Sequence, residues 1–236
     1  MRLLRQLPNF ITLLNLFSGC IAVVFAFHDN YLYAFGFVVL GIFFDFFDGF
    51  FARIFNASSE LGLQLDSLAD MVTSGVTPGL VMFMMLSDTV KSHDLPFWLP
   101  YLGFIITLGS CYRLANFNVD TRQTDSFIGL PTPANALFIT SLPLVLANTD
   151  SLILLELLIN PWFLLFITAL SAYILNAEIP LFALKMKQFS FAKNRLQIAF
   201  LALSIVFLAV FQFAGVPLII ISYVLISVLN NRFQKK

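Results

Sequence analysis

Apolar residues are grouped into eight long segments that follow one another along the chain. They cover residues 10–27, 31–55, 63–86, 97–117, 131–148, 153–175, 197–213 and 216–231. A bilayer core of roughly 30 Å requires about 20 residues of helix. The pattern therefore predicts an all-α, polytopic membrane bundle of about eight transmembrane helices, in a single domain covering residues 1–236. Glu156 and Pro161 interrupt segment 153–175, so its first part is expected to be a loop or an interfacial segment, and seven spans also fit locally.

The composition excludes a soluble domain. Hydrophobic residues make up 59% of the chain, charged residues make up only 11%, and the mean hydropathy is +0.90. The net charge is zero, so no basic field is available for nucleic acid. The lipid bilayer is the expected environment, and no nucleic acid is expected as a partner.

The distribution of positive charge favours an even number of spans. With eight spans, all 13 Lys and Arg residues except Lys91 fall on one side of the membrane. The positive-inside rule then places both termini in the cytoplasm, as in a multi-pass protein of the cell membrane. An odd number of spans would divide the cations between the two sides.

Four aspartates and one arginine interrupt the apolar pattern between residues 45 and 70. On insertion scales each charge at the bilayer centre costs roughly 3 kcal/mol, so these side chains must face something polar. Asp45, Asp48 and Arg53 share one face of a helix, and Asp66 and Asp70 follow each other at i+4 on the next. By the same topology this charged groove opens to the cytoplasm.

A turn over residues 56–60 would make these two helices antiparallel and bring the four carboxylates together. Four like charges in a groove of low dielectric repel one another unless cations neutralise them. Clustered carboxylate oxygens suit Mg²⁺, Mn²⁺ or Ca²⁺. The sequence therefore predicts a metal site, with a pair of ions as the expected occupant.

This pattern resembles the signature of the CDP-alcohol phosphotransferases, Asp-x-x-Asp-Gly-x-x-Ala-Arg followed after eight residues by Gly-x-x-x-Asp-x-x-x-Asp. Its fixed positions are filled by Asp45, Asp48, Gly49, Ala52, Arg53, Gly62, Asp66 and Asp70. The resemblance implies the fold of that family, a substrate activated as a CDP ester, release of CMP and a homodimer. It also implies that Asp70 acts as the general base while standing close to a metal.

Further segments resemble one branch of that family, the membrane-embedded phosphatidylserine synthases. These segments are residues 8–15, 66–78, 113–118 and 127–133. The branch implies transfer of a phosphatidyl group from CDP-diacylglycerol to L-serine. Within the same chemistry, glycerol 3-phosphate or inositol phosphate remains an alternative acceptor, and a cation-coupled transporter is an alternative of another class.

Two sets of binding residues follow from these motifs. The CDP-binding set is Asn9, Thr12, Asn15, Asp48, Gly49, Ala52, Arg53 and Gly62, and the set for the acceptor or its phosphate is Arg113, Asn118 and Thr132. Each has a structural alternative. The small residues Gly49 and Ala52 also suit close helix packing, and Arg113 also suits a topology-setting arginine at the interface.

Overall fold

The computed structural model describes residues 6–120, 127–182 and 194–234, and helices make up nearly all of this part of the chain. The helices are α1 (Leu7–Phe27), α2 (Tyr31–Ile54), α3 (Glu60–Asp70), α4 (Thr77–Ser92), α5 (Ile105–Val119), α6 (Thr132–Asn148), α7 (Leu152–Leu158), α8 (Pro161–Asn176), α9 (Arg195–Phe211) and α10 (Gly215–Gln234). The prediction of an all-α architecture is confirmed. Each of the eight predicted apolar segments is helical in the structure.

Several short elements connect these helices. A π-helix, Met71–Val76, joins α3 to α4, and a 3₁₀ helix, Leu99–Phe104, leads into α5. Two-residue strands, β1 (Phe127–Ile128) and β2 (Pro180–Leu181), pair antiparallel. This pair joins the chain before α6 to the chain after α8.

Judged by the length and composition of its helices, the structure has fewer candidate membrane spans than the sequence predicts. Within the described ranges, four helical segments are long and apolar enough to cross a bilayer, and a bent pair of helices makes a fifth if it forms one span. Helices α5 and α6 contain only 15 and 17 residues, or about 23 and 26 Å at 1.5 Å per residue. The count of eight spans is therefore not confirmed.

The last apolar segment of the described chain contains a reversal. It runs from Arg195 to Arg232 and counts as one candidate span by length. Gln212 has a left-handed φ of 47°, however, and α9 and α10 pack against each other. The chain therefore turns back at this point, as the two separate predicted segments require.

The interruption predicted within segment 153–175 corresponds to a break between α7 and α8. The two helices are bent by 73° relative to each other. Pro161 begins α8, and the side chain of Asn160 accepts hydrogen bonds from the backbone N–H groups of Trp162 and Phe163. Asn160 is thus a helix N-cap, which explains why the helix restarts here in a new direction.

The main apolar core lies around α4, α6 and α8. Its largest fully buried members include Met82, Leu86, Ile139 and Leu164. Many other large apolar side chains are exposed, such as Phe46 on α2 at 64%. Because a bilayer, unlike water, accommodates such a surface, this distribution is that of an integral membrane protein.

Candidate active site

Three carboxylates converge where α2 and α3 approach the same end of the bundle. The side chains of Asp45, Asp48 and Asp66 each offer an oxygen, and these oxygens all lie within 4.8 Å of one another. Ionised carboxylates at such short separations repel one another unless a proton or a cation lies between them. The donor set, oxygens at short mutual distances, fits a hard divalent cation.

The predicted turn between the two halves of the motif is confirmed, with one difference at its end. Asn56 has a left-handed φ of 47°, and Ser59 is the N-cap of α3, its hydroxyl accepting the backbone N–H of Gly62 at 3.0 Å. Glu60, placed in the turn by the sequence analysis, is the first residue of α3. Ser59 thereby fixes where the second half of the motif begins.

Helix α1, which the sequence analysis assigns to CDP binding, forms a third side of the site and also contacts the carboxylates that were expected from two helices alone. It packs extensively against α2 and also against α3. The buried hydroxyl of Thr12 donates to Asp48 Oδ2 at 2.6 Å. A hydroxyl has one proton, and the other acceptor near it, the carbonyl of Pro8, is farther away at 3.1 Å. Thr12 therefore orients Asp48.

The fourth aspartate is held apart from the other three. Asp70 is not part of the 4.8 Å cluster. It is 8% exposed, and its Oδ1 accepts a hydrogen bond from Asn15 Nδ2 at 3.1 Å. The structure thus divides the predicted set of four carboxylates into three clustered side chains and one that α1 holds separately.

A groove of about 180 Å³ opens beside the carboxylates. Six of the eight residues predicted to bind CDP line it, namely Asn9, Thr12, Asp48, Gly49, Ala52 and Gly62. A Cβ atom added to Gly49 would meet nothing within 4 Å. The absence of a side chain at Gly49 therefore keeps the groove open and does not serve helix packing.

The other two residues of that predicted set do not line the groove. Arg53 is exposed near the end of α2, and Asn15 is fully buried and bound to Asp70. Gly62 lies close to α1, since a Cβ atom there would come within 3.2 Å of Asn9 Oδ1. Asn9 and Gly62 thus bring α1 and α3 together at the mouth of the groove.

The residues predicted for the acceptor are in different surroundings. Arg113 is buried and lines a separate cavity of about 160 Å³. Its guanidinium donates to the carbonyls of Ile128 at 2.8 Å and Leu175 at 3.4 Å. The structure therefore gives Arg113 a bridging contact beside the strand pair and does not bring it into the groove.

Asn118 and Thr132 lie on α5 and α6. Asn118 Nδ2 donates to Ser67 Oγ at 2.8 Å, which joins α5 to α3 one residue after Asp66. Thr132 is buried as the first residue of α6. Asn118 is thus the member of this set with a direct contact to the helix that carries the second half of the motif.

Sequence reasoning missed Thr73, which lies in the π-helix after Asp70. Its hydroxyl donates to Asn15 Oδ1 at 2.8 Å. Gly19 and Gly41 surround it closely, since Cβ atoms there would come within 2.3 and 2.6 Å of the Thr73 side chain. Thr73 directly precedes the segment Ser74-Gly75-Val76-Thr77 that follows the motif, but a π-helix has no simple sequence signal that would indicate this contact.

The fold and the site define a helical membrane protein with a carboxylate cluster suited to divalent cations beside an open groove. A family model described as CDP-alcohol phosphatidyltransferase matches residues 5–172. The chain belongs to this family. Members of the family generally depend on a divalent metal.

Several curated relatives carry one name, CDP-diacylglycerol–serine O-phosphatidyltransferase. The Bacillus subtilis protein is 36% identical over 130 residues, which cover 55% of this chain and 71% of that protein. The Saccharomyces cerevisiae protein is 36% identical over 157 residues, covering 60% of this chain and 52% of that protein. The Helicobacter pylori J99 protein is 31% identical over 134 residues, covering 56% and 54%. The chain thus spans about half the length of the last two.

Proposed function

We propose that this protein transfers a phosphatidyl group from CDP-diacylglycerol to L-serine, giving phosphatidylserine and CMP. The observation that carries the proposal is the groove bordered by Gly49, with Asp48 and Asp66 in its wall and Asp45 within 4.8 Å of both. A nucleotide pyrophosphate requires both space for its approach and carboxylates to hold its metal ions. Relatives named for the serine reaction support the choice of acceptor.

Asp45, Asp48 and Asp66 would hold Mg²⁺ or Mn²⁺, or Ca²⁺ bound in their place, with Asp70 beside them. When bound, the metal neutralises charge that develops on the phosphate of the leaving CMP. Asn9, Thr12, Ala52 and Gly62 would contact the CDP moiety because they line the same groove. Arg53 remains a proposed CDP contact on the strength of the motif alone.

Asp70 would remove the proton from the attacking serine hydroxyl. It is the one aspartate of the motif outside the tight cluster, and Asn15 holds only one of its oxygens, Oδ1. Within the described part of the chain, no hydrogen bond holds the second oxygen, Oδ2, which leaves it available to accept a proton. Direct in-line attack by the serine oxygen on the phosphorus, with CMP as the leaving group, balances the reaction.

Other acceptors are the nearest alternative. Glycerol 3-phosphate or inositol phosphate brings an additional phosphate, which requires additional cations near the groove. Arg113, the cation predicted for the acceptor, does not line the groove and already contacts two backbone carbonyls. Its position supports serine over a phosphorylated acceptor, and Arg122 lies outside the described residues.

The test is incubation of the purified protein with CDP-diacylglycerol, Mn²⁺ or Mg²⁺, and each alcohol in turn. Stoichiometric CMP and phosphatidylserine, formed only with serine, would support the proposal. Product formed with glycerol 3-phosphate or inositol phosphate would show that the enzyme uses that acceptor in place of serine. A cation-coupled transporter would leave CDP-diacylglycerol intact.

We also propose the arrangement of this enzyme in the cell membrane. The one-sided distribution of Lys and Arg supports eight spans, with both termini and the groove in the cytoplasm, where soluble serine and CMP occur. Family resemblance supports a homodimer. Accessibility of a cysteine introduced at Ser58, in the turn beside the groove, to a membrane-impermeant reagent tests the orientation: labelling in intact cells would contradict it.

A further inference from the structure

We propose that Thr73 and Asn15 are positioning residues that fix the direction of the Asp70 carboxylate through two consecutive hydrogen bonds. Thr73 Oγ1 donates to Asn15 Oδ1 at 2.8 Å, the nearer of two acceptors, since the backbone carbonyl of Asn15 lies at 3.2 Å. Asn15 Nδ2 donates to Asp70 Oδ1 at 3.1 Å. All three side chains are at least nine-tenths buried. This relay, Thr73–Asn15–Asp70, rests on the proposed function because it assigns a purpose to the orientation of Asp70.

The carboxylate determines how the amide of Asn15 is turned. An ionised carboxylate can accept hydrogen bonds but cannot donate them, so the NH₂ group of Asn15 must face Asp70. The carbonyl of the amide then faces Thr73, whose hydroxyl is a donor in reach. Each bond therefore supports the other. Removal of the Thr73 hydroxyl would leave the side-chain oxygen of Asn15, Oδ1, buried without its donor.

Close packing keeps the relay in place. A Cβ atom at Gly41 would lie 2.6 Å from Thr73 Cγ2 and 2.8 Å from Asn15 Oδ1. A Cβ atom at Gly19 would lie 2.3 Å from Thr73 Oγ1. The two glycines on α1 and α2 thus leave a space that the Thr73 side chain fills, and any added atom would displace the relay.

The π-helix explains how Thr73 reaches Asn15. It begins at Met71, directly after Asp70, and contains Thr73. π-helical turns occur often at functional sites, where they alter the direction of side chains within a longer helix. Here Asp70 and Thr73, three residues apart, both point at one amide on α1. The relay therefore joins the second half of the motif to α1 through Asn15 and Thr73, neither of which lines the groove.

Two pairs of variants test the relay by different means. Thr73→Val removes the hydroxyl at nearly constant volume, and Thr73→Ser restores it. Gly41→Ala keeps every hydrogen-bonding group but displaces the relay, and Gly36→Ala on the same helix is its matched control, since a Cβ atom there meets nothing within 4 Å. Thr168→Val controls for loss of a buried hydroxyl, because Thr168 Oγ1 donates only within α8, to the carbonyl of Leu164.

We expect Thr73→Val and Gly41→Ala to lower kcat about threefold to tenfold, the effect of losing one ordinary hydrogen bond. The KM for CDP-diacylglycerol and the affinity for Mn²⁺, followed by electron paramagnetic resonance, should change less than about twofold, because the Asp45–Asp48–Asp66 cluster is untouched. Thr73→Ser, Gly36→Ala and Thr168→Val should retain the wild-type kcat.

An unchanged kcat in both Thr73→Val and Gly41→Ala would overturn the relay. Equal losses of kcat and Mn²⁺ affinity would also overturn it, because Asp70 would then act only as a metal ligand. The proposed function fails separately, if the wild-type protein makes its product from another alcohol. In that case the ratio of variant to wild-type kcat on that alcohol still tests the relay.

Discussion

Replacement of Thr12 by Val should weaken the metal site without removing any carboxylate. Thr12 Oγ1 donates to Asp48 Oδ2 at 2.6 Å, and Asp48 is one of the three clustered aspartates. A hydrogen bond to a charged group contributes about 1.5–3 kcal/mol. That range corresponds to a tenfold to roughly hundredfold change in metal affinity. Loss of a partner that orients a metal ligand changes metal affinity by a similar factor.

The assay is CMP release as a function of Mn²⁺ concentration at saturating CDP-diacylglycerol. We expect Thr12→Val to raise the half-saturating Mn²⁺ concentration tenfold or more. Thr12→Ser should remain within about threefold of the wild type, since it keeps the hydroxyl. Ser18→Ala is the matched control on the same helix: the Ser18 hydroxyl is also buried but donates to the carbonyl of Leu14.

An unchanged Mn²⁺ dependence in Thr12→Val would refute the reasoning, because Asp48 would then hold its orientation without α1. Thr12 also lines the groove, so the affinity for CDP must be measured at saturating metal. A loss confined to CDP affinity would assign Thr12 to the nucleotide alone.

Three further predictions concern the base, the groove and the buried arginine. Asp70→Asn should lower kcat at least a hundredfold while CDP affinity changes less than about threefold, because general-base catalysis contributes about 10²- to 10⁴-fold and little to binding; equal losses in both would contradict the assignment. Gly49→Val should lower CDP affinity at least about tenfold by filling the open groove, whereas Gly36→Val on the same helix should not, as measured by CDP titration. Arg113→Lys should lower the melting temperature while the KM for serine stays within about threefold of the wild type, because an ammonium cannot reproduce the two contacts of the guanidinium with the Ile128 and Leu175 carbonyls; a KM for serine raised about tenfold or more at an unchanged melting temperature would show that Arg113 binds the acceptor.

The sequence predicts the helices and the motif well because both depend on local spacing. Apolar runs mark each helix, and the small and polar residues 56–60 mark the turn that brings Asp45 and Asp66 together. Even the break in segment 153–175 follows from Pro161, which begins α8 and cannot continue a preceding helix. These features need no knowledge of tertiary packing.

The contacts of α1 with the aspartates could not be predicted in the same way. Thr12 and Asp48 are 36 residues apart, and Asn15 and Asp70 are 55 apart, so their contacts depend on how whole helices pack. Asn9, Thr12 and Asn15 form a polar stripe at i, i+3 and i+6, which turns by about 60° around the helix at each step. Asn9 and Thr12 consequently reach the groove, while Asn15 is turned into the protein toward Asp70.

The same stripe explains why the site needs three helices. Helices α2 and α3 each carry one half of the motif, but α1 packs against both and binds one aspartate of each half, Asp48 through Thr12 and Asp70 through Asn15. A cluster of like charges tends to separate unless neutral donors hold its members in place. Two donors at consecutive turns of one helix hold the two halves at a fixed distance, so the separation of the clustered carboxylates from Asp70 is a property of α1 as much as of the motif itself.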